Sequence, residues 1–296
     1  MIMSRSTSIA VYNNAPFFQS LNTINAVNIL GLTISAIFPN CHYHLDLLGT
    51  GAFALAALPS SYFSLNPKGL TSTFPTTRTR ISATAVVLWS LKLSSFLFYR
   101  ALKVHHDSRL SETLATFSGS VMFWFISYLW NIIVLLPFSV GSTSTLSSSG
   151  DSISMKIGCV MWAAGFIIES LADYQKWRFK SQSNGGFFSG GLFKYSQHPN
   201  YFGNLLLWTG VFVMNATALI EPIGDVKDRN PLKKLWACRR LVISMLSPLF
   251  LYGLFTAQAN GSMTNAVSVA NKKYGNDPSY LDYKQNVPLI FPKMKW

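Results

Sequence analysis

The chain has 296 residues, of which 49% are hydrophobic and only 12% charged, and its formal net charge is +13. Soluble domains carry about 25% charged residues, so this composition cannot build a water-facing surface. The cations lie between apolar runs instead of clustering on one polar segment, which argues against a nucleic-acid-binding domain and fits the flanks of membrane spans or a site for an anionic cofactor.

Residues 1–23 read as an N-terminal tail. Arg5 is their only base, which argues against an Arg-rich transit peptide and against a signal peptide with a basic start. Residues 24–140 hold the N-terminal transmembrane helices. Ile24 to Phe38 is short, and reads either as a first span or as an amphipathic lead-in. Leu45 to Leu65, Ile81 to Tyr99 and Ser118 to Val140 are fuller apolar runs. Gly141 to Ser154, mostly Ser, Thr and Gly, reads as a flexible loop between two halves of a bundle. Residues 155–296 then form a C-terminal region with spans at Ile153 to Ala172, Phe202 to Ile220 and Leu241 to Ala257. The long runs are each near the roughly 20 residues a spanning helix needs. The expected fold is all-α, a polytopic transmembrane bundle of about seven spans, with six to eight allowed.

Seven spans place ten cations on one side, with Arg78 and Arg80 counted in the loop that begins at Lys68, and twelve on the other. That small excess puts the C-terminus in the cytoplasm. Cys41, Cys159 and Cys238 lie far apart with no CxxC, so neither a disulfide framework nor a zinc signature is present. No metal site is expected. His42, His44 and the pair His105-His106 sit in loops without a zinc-like ligand spacing. There is no GxSxG motif and no P-loop.

One region differs from the rest: ESLADYQKWRFKSQSNGGFFSGGLFKYSQHPNYFG, from Glu169 to Gly203. Glu169 and Asp173 are spaced i,i+4 at the end of a span and so share a helix face. Carboxylates at that depth are costly and mark a functional site or a paired charge; the plainer readings are an Asp173–Lys176 pair, or two carboxylates sitting in water at the helix end. Lys176, Arg178 and Lys180 precede Asn184-Gly185-Gly186 and Gly190-Gly191. Cations beside glycines can grip phosphate, though a basic turn at the membrane face has the same pattern. Pro199 restricts His198 to extended backbone. Asn200 is expected to cap the next helix, whose free amides favour an anion.

The run GLFKYSQHPNYFG, preceded by ESLADYQKWRFK, resembles the signature of the DUF1295 membrane proteins of the steroid 5-alpha-reductase C-terminal-like superfamily. The family pattern has an acidic helix end reading E-x-x-AD-x-Q, a Gly-rich loop, and a run like SRHPNYFGE. The tail NKKYGNDPSYLDYKQNVPLIFP resembles the family's ending, and RISATAVVLWSLKLSSFLFYR is similar to its Arg-flanked span. The likeness covers roughly Ile81 to Pro292.

The resemblance implies a bundle whose cytoplasmic end holds NADPH and whose interior admits a lipid-like activated alkene. Glu169 and Asp173 would hold the nicotinamide half and Asn200 would lie against the cofactor. Arg178, Lys180, Tyr195, His198, Tyr280 and Tyr283 would face the phosphates. His198 and Tyr201 are the candidates for proton donor. The chain departs from the pattern at Gln197, where the family has Arg, and at Asn204, where it has Glu or Asp.

The implied activity is reduction of a CH–CH double bond in a steroid, enoyl or isoprenoid lipid, in the endoplasmic reticulum or another endomembrane. Membrane lipids and the substrate are the expected partners. Two other readings stand beside it. One is an isoprenylcysteine-type methyltransferase using S-adenosylmethionine. The other is a non-catalytic sterol- or lipid-binding protein, which the two departures keep open.

Overall fold

The computed structural model describes residues 14–39, 41–62, 75–103, 116–144, 153–182, 186–220, 236–262 and 266–293, together with Leu232. These residues are helical apart from turns and short connections. The helices are α1 (Ala15–Ile37), α2 (Tyr43–Tyr62), α3 (Thr77–Lys103), α4 (Phe117–Ser142), α5 (Ile153–Gln182), α6 (Pro199–Leu219), α7 (Arg239–Ala259), α8 (Ala266–Tyr274) and α9 (Pro278–Asn286). A 3-10 turn, Gly191–Lys194, precedes α6. Six of these helices, α1 and α3 to α7, are long and apolar enough to cross a bilayer. The apolar stretch of α2, Tyr43–Leu58, is shorter.

Burial is inverted relative to a soluble protein. Ser82, Ser90, Asn131 and Asn215 are fully buried, while Val160, Ile29, Ile126 and Leu249 are each more than half exposed. A surface of large aliphatic side chains suits lipid, and polar side chains then serve as contacts between helices. The chain is a polytopic helical membrane protein.

The described residues fall into two compact units. The first comprises residues 1–156 and 211–247 and the second residues 157–210 and 248–296. In the first, α1 packs on α2 and α4, and α2 packs on α3. Small polar side chains make these contacts. Ser90 Oγ accepts from Ala54 N–H (3.1 Å) and donates to Thr50 O (2.7 Å), entering the hydrogen-bond ladder of α2. Trp124 occupies the space that a Cβ at Gly31 would fill, and its indole N–H donates to Ser35 Oγ (2.9 Å). Ser35 in turn meets His44 Nε2 at 2.9 Å. His42 packs against Tyr43 with the rings tilted by 32°, and His105 and His106 lie outside the described residues.

Three expectations are corrected here. The first helix starts at Ala15, so residues 15–23 are not tail. Gln19, Asn22 and Asn25 lower its hydropathy, but the inward polar residues have partners: Ser20 Oγ donates to Ala56 O (2.9 Å) and Asn28 Nδ2 to Ile24 O (2.8 Å). Arg78 is not a loop cation. It lies in the first turn of α3 and is 1% exposed. The span that begins at Ile153 continues to Gln182, so the basic run 176–180 is helical. No Gly or Pro interrupts the chain between Gly165 and Gly185 to stop it earlier. Of the Ser-rich loop, residues 145–152 lie outside the described residues.

Candidate functional site

The site is built on the second unit, around an antiparallel pair of helices, α5 and α6. Glycines set their approach. A Cβ at Gly203 would stand 2.5 Å from Glu169 N and 2.8 Å from Gly165 O. One at Gly165 would stand 2.5 Å from Gly203 O, and one at Gly210 would stand 2.6 Å from Trp162 N. The backbones therefore touch along one seam, as small residues permit between membrane helices. Contact between strongly apolar segments is not what pins the register here; main-chain sterics do.

Glu169 comes one turn after Gly165 on that seam, and Asn204 directly follows Gly203. Both are buried, at 3% and 7% exposure, and Asn204 Nδ2 donates to Glu169 Oε1 at 3.1 Å. The predicted departure at Asn204 is thus the partner of the predicted acid. Asp173 and Asn200 each lie one turn further toward the same end, so the antiparallel register puts them level. Asp173 is half-buried.

At that end the chain leaves α5 and returns through the Gly-rich loop. Gln175 positions the loop: its Oε1 accepts from Leu192 N–H at 3.0 Å. Gly191, with φ +56°, lies against the same amide, where a side chain would find neither space nor a favourable backbone. The Lys176 ammonium sits 5.8 Å above the Phe193 ring, a cation–π contact.

The tail closes over residues 195–198. Gln197 N–H donates to Pro288 O (2.9 Å), His198 N–H to Leu289 O (3.1 Å) and Lys293 N–H to Tyr195 O (3.2 Å). Buried Ser196 adds its hydroxyl, which donates to Ile290 O at 2.7 Å. The Gln197 amide donates to Lys284 O (3.0 Å) and Val287 O (2.6 Å), the free carbonyls at the end of α9. The tail also grips the loop through aromatics. Phe187 packs against Tyr274, Tyr280 and Tyr283, with ring centroids 5.2–6.2 Å apart. Tyr283 O–H donates to Phe193 O (3.0 Å) and Tyr280 O–H to Asn271 Oδ1 (3.1 Å). Burial, with Tyr280 beside it, pushes the Tyr283 hydroxyl up to about 12, so it keeps its proton.

His198 stacks on Tyr201 (4.8 Å, 7° between planes), and Tyr201 stacks on Phe255 (4.7 Å, 12°). Burial and the nearby Lys176 ammonium push the imidazole down to about 4. The ring is neutral at pH 7, so toward a phosphate it would act as a hydrogen-bonding group and not as a cation. It can still donate or accept a hydrogen bond.

Asn200 is not the cap of α6. The helix starts at Pro199, whose fixed φ suits the first helical position, and Tyr201 and Phe202 N–H both bond His198 O (3.1 and 3.2 Å). Asn200 Oδ1 is instead a buried acceptor with no donor.

Arg178, Lys180 and Tyr195 are exposed on this unit. Tyr280 and Tyr283 commit their hydroxyl protons inside the protein, so they hold the tail in place. Sequence reasoning missed Gln175, Ser196 and Phe187. Gln175 was signalled by its place in the ADYQ run; Ser196 and Phe187 gain their roles only from the tail that returns to them.

A glycine-seamed helix pair ending in a buried acid–amide contact, closed by a loop and a tail, defines a helical membrane protein with a polar site at one end of that pair. The sequence model of the family described as "Protein of unknown function (DUF1295)" matches residues 33–223, and the chain belongs to that family. The tail lies beyond the matched residues. No curated protein and no solved structure matches the chain.

Proposed function

We propose that the chain is a membrane-embedded reductase that uses NADPH to saturate an activated double bond in a lipid-like substrate. The observation that carries this reading is Asn200 Oδ1. It is a buried acceptor without a donor, at the start of α6, beside neutral His198 and level with Asp173. A buried acceptor left unmade costs about 1–3 kcal/mol, and a carboxamide N–H or a ribose hydroxyl would satisfy it. The residues therefore fit a dinucleotide. Exposed Arg178, Lys180 and Lys194 supply cations for its phosphates.

NADPH, when bound, supplies the hydride. The chain contributes position and a proton. The Glu169–Asn204 contact fixes α5 against α6, so that Asp173 and Asn200 face a common ligand. Tyr201, held between two rings, gives its hydroxyl proton to the carbon next to the one reduced, and the phenolate recovers a proton from water. The tail covers the loop and restricts solvent there. The membrane is an endomembrane, with this end in the cytoplasm where the cofactor is available.

The test is titration of purified protein with NADPH and, in parallel, with S-adenosylmethionine. Saturable NADPH binding is expected, weakened about five- to tenfold in Asn200→Ala, the worth of roughly one hydrogen bond. Saturation by S-adenosylmethionine alone would make the protein a methyltransferase. Binding of neither would leave a non-catalytic lipid-binding protein.

A further inference from the structure

The first unit contains a cluster that the reductase reading does not use. Arg78 is 1% exposed, in the first turn of α3. Its Nη1 donates to Asn215 Oδ1 (2.6 Å) and its Nη2 to Gly141 O (3.1 Å). Both acceptors are neutral, and Nε is buried with no partner. Arg240, in the first turn of α7, donates to Val140 O (2.6 Å) and to Thr143 Oγ1. Two guanidiniums thus converge on adjacent carbonyls, Val140 and Gly141, in the last turn of α4.

Helix-end carbonyls carry only partial charge, so they do not neutralise Arg78. A buried guanidinium with no carboxylate beside it among the described residues is costly, and such residues mark ligand sites by default. Two buried hydroxyls point the same way. Ser144 Oγ is 3% exposed, Ser244 Oγ fully buried, and neither has a hydrogen-bond partner. The Ser144 amide bonds the same Gly141 carbonyl as Arg78, at 3.1 Å. Ser244 is one turn beyond Arg240, on its face of α7.

We propose that Arg78, Arg240, Ser144 and Ser244 form an anion site that holds the phosphate of an anionic phospholipid headgroup. The chemistry is that of several donors and two positive charges meeting an oxyanion with more acceptor oxygens than a carboxylate offers. The location agrees: Arg78, Ser144 and Arg240 lie at or just beyond helix ends, with Ser244 one turn further in, and lipid phosphates sit at such ends, where basic pockets between membrane helices take headgroups. Inorganic phosphate has the same chemistry and serves as the soluble alternative.

The test uses delipidated full-length protein in neutral detergent, with phosphatidylglycerol, phosphatidylcholine or inorganic phosphate added. Melting temperature is read by tryptophan fluorescence and lipid affinity by native mass spectrometry. Phosphatidylglycerol should raise the melting temperature and phosphatidylcholine should not. Arg78→Gln should weaken phosphatidylglycerol binding at least about tenfold, as loss of a charge-assisted hydrogen bond does. Ser144→Ala with Ser244→Ala should weaken it roughly three- to tenfold, and this pair decides the matter if Arg78→Gln fails to fold. Stabilisation by inorganic phosphate that the variants abolish would uphold the anion site with a soluble occupant. If the arginines only cap α4, the serine pair will bind phosphatidylglycerol as tightly as the unaltered chain. That result, or equal shifts from both lipids, overturns the proposal.

Discussion

Replacing Gln197 by Glu should release the tail. The amide donates to Lys284 O and Val287 O at 3.0 and 2.6 Å. Each such bond has a net worth of about 1 kcal/mol. Glu removes both donors and sets a carboxylate against two carbonyls at the negative end of α9, which costs a further 0.3–1 kcal/mol or so. Tail docking should therefore weaken by roughly 3 kcal/mol, a factor of about a hundred in the open population. Hydrogen exchange of Gln197, His198 and Lys293 amides, which bond across loop and tail, reads this directly. Gln197→Arg is the informative partner. A guanidinium keeps donors for both carbonyls and adds a favourable charge at a helix C-terminus, so protection should hold or rise. Unchanged exchange in Gln197→Glu would refute the reasoning, because it would mean that the clasp bears no load.

Gly203→Ala should cost about 1–3 kcal/mol by forcing main chains apart, since its Cβ would stand 2.5 Å from Glu169 N. Gly253→Ala, whose Cβ meets nothing within 4 Å, is the control, and detergent melting temperatures compare them. Asn204→Glu should bind one more proton than the unaltered chain near neutral pH, because two buried carboxyls in contact cannot both ionise; infrared spectroscopy would show a new protonated carboxyl band, and its absence would count against the contact. Stability should fall as pH drops from 6.5 toward 4. The His198 value is lowered from 6.5 to about 4 on folding, so in that window the unfolded chain binds the extra proton, and the loss approaches about 3 kcal/mol. His198→Gln should flatten this part of the pH–melting curve.

Hydropathy made most of the helices legible, because α3 to α7 each contain an apolar run as long as a bilayer requires. It failed where polar residues face inward. The start of α1 is hidden because Ser20 finds its acceptor on α2, a contact that no local window registers. Arg78 was counted as topogenic for the same reason: nothing near it in sequence predicts Asn215 and Gly141 as partners. In the candidate site, spacing alone put Glu169 and Asp173 on one face. The motif likeness brought in His198, Asn200 and the tail tyrosines. What stayed hidden was which side chains act on the protein itself. Gln197 stands out in the sequence only as a departure from the family's Arg, because its partners lie about 90 residues downstream, at carbonyls that any residue type could supply. Asn200 looked like a cap because Asn favours that role, but Pro199 begins the helix first.

The two departures from the family pattern keep hydrogen-bond donors in place. Gln197 still donates to helix-end carbonyls, as an arginine would. Asn204 donates to Glu169 much as a protonated carboxyl would, but its proton is fixed and cannot be exchanged. On the reductase reading this narrows the source of the transferred proton. The acid–amide pair holds helices together and lends no proton from its amide. His198 is neutral at pH 7, and its cationic form, the stronger acid, is absent there. The Tyr201 hydroxyl remains, with its ring fixed between His198 and Phe255. A phenol in that stack can be oriented without being charged, which suits a site entered by an apolar substrate. On that reading Glu169 is the anchor that keeps α5 and α6 in register, and the proposed chemistry belongs one turn further on, at the level of Asp173, Asn200 and Tyr201.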